Sequence, residues 1–315
     1  MGLSVTAYAT HGNCTKPTGI VKRLSRTLSK PRVHLRSLDQ YFWYTDADGV
    51  ERLAVSLNGV PQQLNDYIFD ASLFKQESYP KTFPSGNVWP PQRLEDLVCA
   101  TDPEYTDCVG DTCYTDETCE DPNCRHTLER WKRATQDWQS HFELRMTEGR
   151  GIGVITKRSF QQGAILGWYA GELKKIDDVE AGDYLMDMEI GAMPTRDMPR
   201  TSIFVDGETK GNWTRFINHS CDAHAVFRIM RIGNTRIMAV EAAKHIPKGV
   251  ELSVNYGNEY YGMDTNRRCC CGAANCVEKK RARRDRANAR KLKEIGKAYA
   301  KKTNVKKRNK DGPLA

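Results

Sequence analysis

Apolar and polar residues alternate in short runs over most of the chain, a pattern that predicts strands more often than helices. The run AILGWYAGEL, Ala164–Leu173, is an apolar segment of the length of a buried strand. Two strand-like runs, FELRMT and VITKRSF, flank a glycine-rich turn at Gly149–Gly153 and indicate a hairpin. Within residues 41–98, YFWY before the turn DADG and LAVS before Asn-Gly indicate two further strands.

Helical spacing of apolar residues occurs in two places. The first set predicts a connecting helix over residues 127–142 and consists of Leu128, Trp131, Trp138 and Phe142. The second set predicts an exposed helix in the C-terminal tail and consists of Leu292, Ile295 and Tyr299. Strand-like runs therefore outnumber helical ones in the chain.

Charge is divided unevenly along the chain. The 315 residues carry a net charge of +8. Residues 279–315 hold 16 Lys or Arg against 3 acidic residues, whereas residues 41–278 carry a net charge of −11. The first 40 residues are again basic, with 7 Lys or Arg and a single Asp. The acidic body would attract a basic peptide, and the basic tail would favour a nucleic acid or a nuclear import receptor.

The eleven cysteines indicate metal binding rather than disulfides. No run of about 18 apolar residues is present, and the first twenty residues lack the apolar segment of a signal peptide. We therefore expect no contact with a membrane and a reducing compartment, in which thiols stay available to metal ions. Five cysteines lie in a segment of acidic, turn-forming residues: Cys99, Cys108, Cys113, Cys119 and Cys124. Because this segment has few core residues, four of these thiolates around one zinc would stabilise it; thiols in an irregular loop are the alternative.

Three motifs, in a fixed order, carry a resemblance to a known family. They are GRGIGV at Gly149–Val154, RFINHSC at Arg215–Cys221 and ELSVNYG at Glu251–Gly257, followed by the cluster CCCGAANC at Cys269–Cys276. Together they closely resemble the SET-domain protein (histone) lysine methyltransferases, over roughly residues 95–277. The resemblance implies an α+β, β-rich fold with several small β-sheets and a pseudoknot, in which the second and third motifs pass one through the other's loop.

The resemblance further implies S-adenosyl-L-methionine as the methyl donor. The turn that would present main-chain groups to it consists of Gly151, Ile152 and Gly153, where the family usually has Trp in place of Ile152. Asn218 matches the residue that holds the amino-acid moiety of the cofactor. His219 would use backbone groups near the adenine, and Arg215 would support the loop.

Three tyrosines match the lysine channel and the transfer site of the family. Tyr169 and Tyr184 match aromatic residues that border the channel, and Tyr256 matches the residue whose hydroxyl orients the amine. An apolar channel would lower the pKa of the substrate lysine, ordinarily near about 10.4, and hold the amine in line with the methyl group. Val254 stands where the family often has Phe or Tyr, which leaves room for di- or trimethylation.

The resemblance also implies zinc on both sides of the catalytic domain. Cys269, Cys271 and Cys276 leave a tetrahedral zinc one ligand short, and the post-SET site of the family takes its fourth sulfur from the residue matching Cys221. The earlier cysteines resemble a reduced version of the pre-SET or AWS segments, which carry seven or nine cysteines.

The chain is thus predicted to comprise six segments: a basic flexible arm (1–40), a region of unassigned role (41–98), a cysteine-rich pre-SET/AWS-like segment (99–126), the SET domain (140–258), the post-SET zinc motif (265–278) and a basic tail (279–315). We expect a nuclear, chromosome-associated methyltransferase that acts on a histone-tail lysine. The alternatives are a catalytically inactive SET scaffold that binds chromatin and a methyltransferase of a non-histone protein. The family continues NHSC with Pro-Asn, where this chain has Ala223 and His224.

Overall fold

The computed structural model describes residues 7–8, 40–56, 58–75, 88–100, 107–179, 182–191 and 201–308, with side chains up to residue 299. The predicted basic arm lies almost wholly outside these residues, as does the end of the predicted tail. In the described part, no helix is both long enough and apolar enough to cross a bilayer.

Short strands make up most of the regular structure of the described residues. The strands are β1 (Ala7–Tyr8), β2 (Trp43–Thr45), β3 (Glu51–Leu53), β4 (Gln62–Gln63), β5 (Tyr67–Ile68), β6 (Phe142–Thr147), β7 (Gly151–Thr156), β8 (Ile165–Trp168), β9 (Gly171–Lys175), β10 (Leu185–Ile190), β11 (Thr201–Gly211), β12 (Asn218–His219), β13 (Ala225–Ile232), β14 (Thr235–Ala242) and β15 (Glu251–Val254). The α-helices are α1 (Leu94–Leu97), α2 (Leu128–Ala134), α3 (Asn258–Tyr261) and α4 (Val277–Arg308). Single 3₁₀ turns cover Ala71–Phe74, Trp138–Ser140, Ile176–Asp178 and Trp213–Phe216.

The strands of the described residues form two sheets. The smaller sheet has the order β1-β10-β11-β9-β5, with β4 paired to β11. The larger has the order β3-β2-β6-β7-β15-β13-β14-β8, with β12 paired to β15. Most neighbours are antiparallel, but β12 and β13 both run parallel to β15. The expected β-rich architecture of several sheets is confirmed.

Strand β15 brings distant parts of the chain together. It pairs antiparallel with β7 through Leu252 and Val154, and parallel with β12, where Asn218 faces Ser253 and His219 faces Val254. The glycine-rich hairpin and the motifs around Asn218 and Tyr256 therefore meet at one place in the larger sheet.

Aromatic side chains pack against the 3₁₀ turn Trp213–Phe216, which leads into β12. Trp213 is 1% exposed and stacks on Phe142 and Trp138, with ring centroids 4.4 Å and 6.0 Å apart. The apolar strand predicted within Ala164–Leu173 is present as β8, in which every residue is buried. Truncating a large buried aromatic side chain to alanine costs on the order of 3–5 kcal/mol of stability. This packing therefore holds the turn before Asn218 rigidly in place.

The predicted connecting helix over residues 127–142 is correct only in its first half. Helix α2 starts after Thr127, whose side chain accepts from the Arg130 amide, and ends at Ala134. Trp138 then belongs to a 3₁₀ turn, and Phe142 is the first residue of β6. The apolar spacing continued past the helix end because Trp138 and Phe142 stack on the same tryptophan, Trp213.

The region 41–98 is built into both sheets. Strands β2 and β3 form the hairpin predicted around the DADG turn, with Trp43 opposite Leu53. Strand β2 also runs parallel to β6, and β4 and β5 pair with β11 and β9 of the smaller sheet. This region therefore packs directly on the strands that carry the glycine-rich turn.

The predicted tail helix is confirmed as α4, which covers 32 residues. Its apolar residues Leu292, Ile295 and Tyr299 are 68%, 64% and 71% exposed, as expected for an exposed helix.

Candidate cofactor and metal sites

The segment Arg215–Cys221 is held by a capped turn. Asn212 accepts a hydrogen bond from the Thr214 amide at 3.2 Å and donates to the Trp168 carbonyl at 2.6 Å. The 3₁₀ turn Trp213–Phe216 is entirely buried, and the chain then extends into β12 beside β15. This geometry fixes the direction in which Asn218 and His219 point.

In the side-chain amide of Asn218, Nδ2 has a hydrogen-bond partner, whereas Oδ1 has none among the described residues. The residue is 0% exposed, and its Nδ2 donates to Glu251 Oε1 at 2.8 Å. Its Oδ1 is buried and has no hydrogen-bond partner among the described residues. A buried acceptor without a partner costs about 1–3 kcal/mol, so this oxygen fits a ligand that brings a donor, such as the ammonium of an amino acid.

Gly153 makes the close approach of Asn218 sterically feasible. A Cβ atom at this position would lie 2.7 Å from Glu251 Oε1 and 3.0 Å from Asn218 Nδ2. The neighbouring Gly151 has a φ of +75°, which side chains with a Cβ rarely adopt. Gly151 is thus required by its backbone conformation, and Gly153 by the atoms packed against it.

Two concavities lie on either side of this turn, and Arg150 lines both. The larger is a cavity of about 660 Å³ whose polar lining includes the Arg150 and Arg215 side chains beside Gly151, Ile152 and Tyr184. The smaller is a narrow cleft lined by Gly149, Arg150, His219, Tyr261, Arg268, Cys270 and Cys271. An elongated ligand that follows the turn would contact both.

The far wall of the larger cavity comes from the region that had no assigned role. It is formed by Tyr44, Leu53, Ala54, Val55, Ser56 and Pro61. Sequence patterns predicted the hairpin β2–β3 but gave no sign that it faces the glycine-rich turn, since this contact depends on the pairing of β2 with β6.

Arg215 places a buried positive charge at the cavity. Its guanidinium donates to the carbonyls of Gly207 at 2.7 Å and Glu208 at 2.9 Å, and lies over the Tyr184 ring at 4.1 Å from the centroid. Burial lowers the pKa of Arg215 from its ordinary value, and the nearby Tyr184, Tyr169 and Glu208 act in the opposite direction. A guanidinium in this position can attract an anionic group in the cavity.

The three predicted channel tyrosines lie near one another. Tyr169 donates its hydroxyl to the Tyr184 carbonyl at 2.7 Å, and Tyr256 donates its hydroxyl to the Ile217 carbonyl at 2.7 Å. Burial, followed by the neighbouring phenols, raises the pKa of Tyr256 well above its ordinary value, and burial likewise raises that of Tyr169. Both phenols therefore stay protonated at neutral pH, and the Tyr256 oxygen can only accept from a further group. Tyr184 lines the larger cavity; Tyr169 and Tyr256 line neither concavity.

A first cluster of potential metal ligands joins the Arg215–Cys221 segment to the cysteines that follow α3. The ligand atoms of His219, Cys221, Cys269 and Cys271 all lie within 4.8 Å of one another. Cys221 Sγ is 3.4 Å from His219 Nε2 and 3.8 Å from Cys269 Sγ. His219, expected to act through its backbone, thus also brings its ring to the sulfurs.

The donor chemistry of this cluster fits zinc. Burial raises the pKa of the Cys221 thiol to about 11. Burial alone would also raise that of Cys271, but amide donors at Cys221 and Ala273 and the thiols of Cys269 and Cys276 outweigh it and lower the pKa to about 7. A thiolate is therefore accessible near neutral pH, as metal ligation requires. Cys276 hydrogen bonds to Cys271 but stands outside the tightest group.

A second cluster lies before β6 and differs from the expected set. It consists of Cys108, Cys119, Cys124 and His126. Cys99 and Cys113, also expected as ligands, lie apart: their thiols approach the carbonyls of Asp96 at 3.7 Å and Ile165 at 3.3 Å. His126 was missed, although its position two residues after Cys124 is a spacing compatible with ligation of one ion by both.

Comparison with known proteins gives a family for the central part of the chain. A family model described as SET domain matches residues 151–257. The H3 lysine-36 specific histone-lysine N-methyltransferase of Candida albicans is 24% identical over 198 residues, which cover 60% of this chain and 22% of that protein. The enzyme of the same description from Chaetomium globosum is 30% identical over 184 residues, covering 58% of this chain and 19% of that protein.

Among solved structures, the methyltransferase domain of human SETMAR is similar, at 26% identity and a TM-score of 0.35, covering 43% of this chain and 56% of that one. A TM-score of this size does not establish a common overall architecture. The chain spans about a fifth of the length of the two fungal relatives.

Proposed function

We propose that this chain, whose residues 151–257 form a SET domain of the histone-lysine methyltransferase family, transfers methyl groups from S-adenosylmethionine to lysine side chains of a histone tail. The observation that carries the proposal is the buried Oδ1 of Asn218, which has no partner in the part of the chain that the structure describes; the preceding residue, Ile217, accepts the Tyr256 hydroxyl at its carbonyl. Asn218 would contact the cofactor through its Oδ1, and the carbonyl of Ile217 would hold the Tyr256 phenol at the proposed transfer site.

The residues present fit the cofactor. When bound, S-adenosylmethionine supplies an electrophilic methyl group on a sulfonium. Asn218 Oδ1 would accept from the ammonium of its amino-acid end, and the Arg215 and Arg150 guanidinium groups at the larger cavity suit its carboxylate. The narrow cleft beside His219 and Tyr261 would take the adenine.

The lysine amine would be prepared by the channel rather than by a general base. Tyr169 and Tyr256 are 5% and 2% exposed, and an amine among such phenols loses water, which lowers its pKa and favours the neutral nucleophile. The Tyr256 oxygen, with its proton committed to Ile217, would accept from the amine and orient it. Positioning of this kind can supply several kcal/mol, on the order of 7–11 at most.

Charge and the tail support a basic substrate at chromatin. Residues 41–278 carry a net charge of −11, which attracts a lysine-rich peptide, and both fungal relatives are described as specific for H3 lysine 36. Of the 15 Lys or Arg of α4, Arg281 is partly buried and the other 14 are exposed or lie beyond residue 299. The exposed basic residues suit a nucleic acid or a nuclear import receptor. We therefore propose a nuclear, chromosomal location for the protein.

Ile152 favours a second candidate, a catalytically inactive SET scaffold that binds chromatin. The Trp usual in the family is replaced by a half-buried aliphatic residue at the cavity. Calorimetric titration with S-adenosylmethionine distinguishes the candidates, because the scaffold has no affinity for the cofactor.

The decisive experiment is methylation of a panel of core histones and nucleosomes, read by mass spectrometry of lysine peptides. The proposal predicts one to three methyl groups on a single tail lysine. Methylation of a non-histone control protein alone would show that the substrate is not a histone. No methylation despite cofactor binding would refute the proposed reaction.

A further inference from the structure

The cluster of Cys108, Cys119, Cys124 and His126 has the dimensions of a filled tetrahedral site. Cys108 Sγ lies 3.4 Å from His126 Nδ1 and 3.5 Å from Cys124 Sγ, and all four ligand atoms are within 4.8 Å of one another. With zinc–sulfur bonds of about 2.3 Å, the sulfurs of a tetrahedral complex are separated by about 3.7 Å. The observed spacing is close to this value without any disulfide among the three cysteines.

The ring of His126 is oriented as in a ligating histidine. Its Nδ1 faces the sulfurs, while its Nε2 lies 3.4 Å from Asp111 Oδ1. Asp111 is in turn held by Arg130, whose NH1 donates to Oδ2 at 3.1 Å. A carboxylate near the second ring nitrogen attracts a proton to that nitrogen, which leaves the first nitrogen unprotonated and able to bind a metal.

A buried arginine supplies the charge that such a site needs. Three thiolates and one neutral imidazole around Zn²⁺ carry a net charge of −1. Arg231 of β13 is 3% exposed, and its NH1 approaches Cys124 Sγ at 3.6 Å and donates to the Gly233 carbonyl at 2.9 Å. Without this arginine, the negative charge of the complex would be buried without a compensating partner, which is strongly unfavourable.

Backbone hydrogen bonds join the segment that carries the cluster to the hairpin β13–β14. Val109 donates its amide to the Arg231 carbonyl at 2.9 Å, and Arg231 donates its amide to the Asp107 carbonyl at 3.0 Å. Gly233 has a φ of +55°, and a Cβ atom on it would lie 2.0 Å from the His126 carbonyl. The opposite end of β13 begins at Ala225, shortly after Cys221 of the other cluster. One hairpin thus runs from one cluster to the other.

The geometry points to a mononuclear Cys₃His zinc site, formed by Cys108, Cys119, Cys124 and His126, that clamps the segment before the SET domain to the β13–β14 turn. Three thiolates with one imidazole favour zinc over harder ions. Closing a segment of so few apolar residues around an ion supplies stability that its own core cannot. This inference does not depend on methyl transfer, because its readouts involve no methyl donor.

The test is zinc stoichiometry of the full chain by native mass spectrometry. Cys119→Ser and His126→Ala should each lose one zinc per chain relative to the wild type, and His126→Cys should keep it. Cys99→Ser and Cys113→Ser are matched controls from the same segment and should leave the stoichiometry unchanged. With Co²⁺ in place of zinc, His126→Cys should intensify the sulfur-to-cobalt charge-transfer band, because a fourth thiolate joins the ion.

A second measurement uses the unaltered chain and does not require the variants to fold. Cys119, Cys124 and Cys99 are all partly exposed. Alkylation followed by peptide mapping should modify Cys99 readily, and Cys119 and Cys124 only after a strong chelator has been added. Equal modification of all three without chelator, full zinc content in His126→Ala, or loss of zinc in Cys113→Ser would each overturn the assignment.

Discussion

Asn218 Nδ2 donates a hydrogen bond of 2.8 Å to Glu251 Oε1, although the two residues are 33 positions apart. Glu251 also forms an ion pair with Arg150 of the glycine-rich turn. Because the carboxylate accepts from the nitrogen of the Asn218 amide, the amide oxygen has to face the opposite way. The orientation of the proposed cofactor contact is thus set by a residue of another motif.

Replacing Asn218 by alanine should weaken binding of the cofactor product S-adenosylhomocysteine about 10- to 100-fold, because a hydrogen bond to a charged group contributes about 1.5–3 kcal/mol. Isothermal titration calorimetry measures this directly. Zinc content should remain that of the wild type, since the ligand clusters are untouched. An Asn218→Ala variant that binds the cofactor with unchanged affinity would refute the site.

Tyr256→Phe should lower kcat about 10²- to 10³-fold with little change in the KM for the cofactor, because it removes only the oxygen that orients the amine. Steady-state kinetics on a histone peptide separate the two constants. Tyr114→Phe is the matched control, since it removes another buried phenol whose hydroxyl donates to a carbonyl, that of Thr135, outside the site. Equal losses in both variants would indicate a general structural effect.

The pH profile of kcat/KM should rise with pH as the substrate lysine loses its proton, and should not fall again up to about pH 10. Burial raises the pKa of Tyr256 well above its ordinary value of 10.0, so the neutral phenol persists through this range. Initial rates at saturating cofactor between pH 6 and pH 10, on the order of one point per half unit, define the curve. A descending limb that disappears in Tyr256→Phe would show that the phenol ionises and would contradict this account.

Cys221→Ser should remove one zinc and weaken S-adenosylhomocysteine binding about 10-fold. Cys221 contacts Cys269 Sγ at 3.8 Å and Cys271 through its amide at 3.4 Å, and its sulfur accepts from the Val277 amide at 3.4 Å. Arg268 and Cys271 belong to the segment that lines the narrow cleft. Without the contacts of Cys221, this segment is no longer held against β12. Metal analysis and calorimetry on the same sample test both effects.

The control for this prediction is Cys113→Ser, which should change neither quantity because Cys113 stands outside both clusters. Removal of zinc from Cys221→Ser with full retention of cofactor affinity would separate the cluster from the cleft and contradict the second half of the prediction.

The sequence predicted the elements that depend on local pattern. The glycine turn, the apolar strand β8 and the exposed helix α4 are present because backbone freedom, burial and helical spacing act within short segments. The Asn218 contact with Glu251 and the wall at Val55 depend on which strands pair, and no local pattern contains that information.

His126 shows a different limit of sequence reasoning. Counting cysteines gave five candidate ligands, but two of these thiols lie away from the cluster. Cys113 is 9% exposed, with its thiol against the Ile165 carbonyl, and the Cys99 thiol approaches the Asp96 carbonyl while its backbone forms a β-bridge with Thr235. The choice among candidate ligands is made by the fold, which brings the imidazole of His126 to the sulfurs while α2 starts directly behind it.

Val55→Glu should weaken S-adenosylhomocysteine binding about threefold, by roughly the 0.2–1 kcal/mol typical of exposed charge pairs. Val55 is 66% exposed and lines the cavity that also contains the Arg150 and Arg215 side chains, so a new carboxylate there competes for the charge that would hold the carboxylate of the cofactor. Val50→Glu is the matched control, because Val50 is 51% exposed in the same hairpin and does not line the cavity. The difference should shrink at high salt, as expected for partly exposed charges. Identical affinities of the two variants at low salt would show that the wall formed by residues 44–61 does not contribute to the cofactor site.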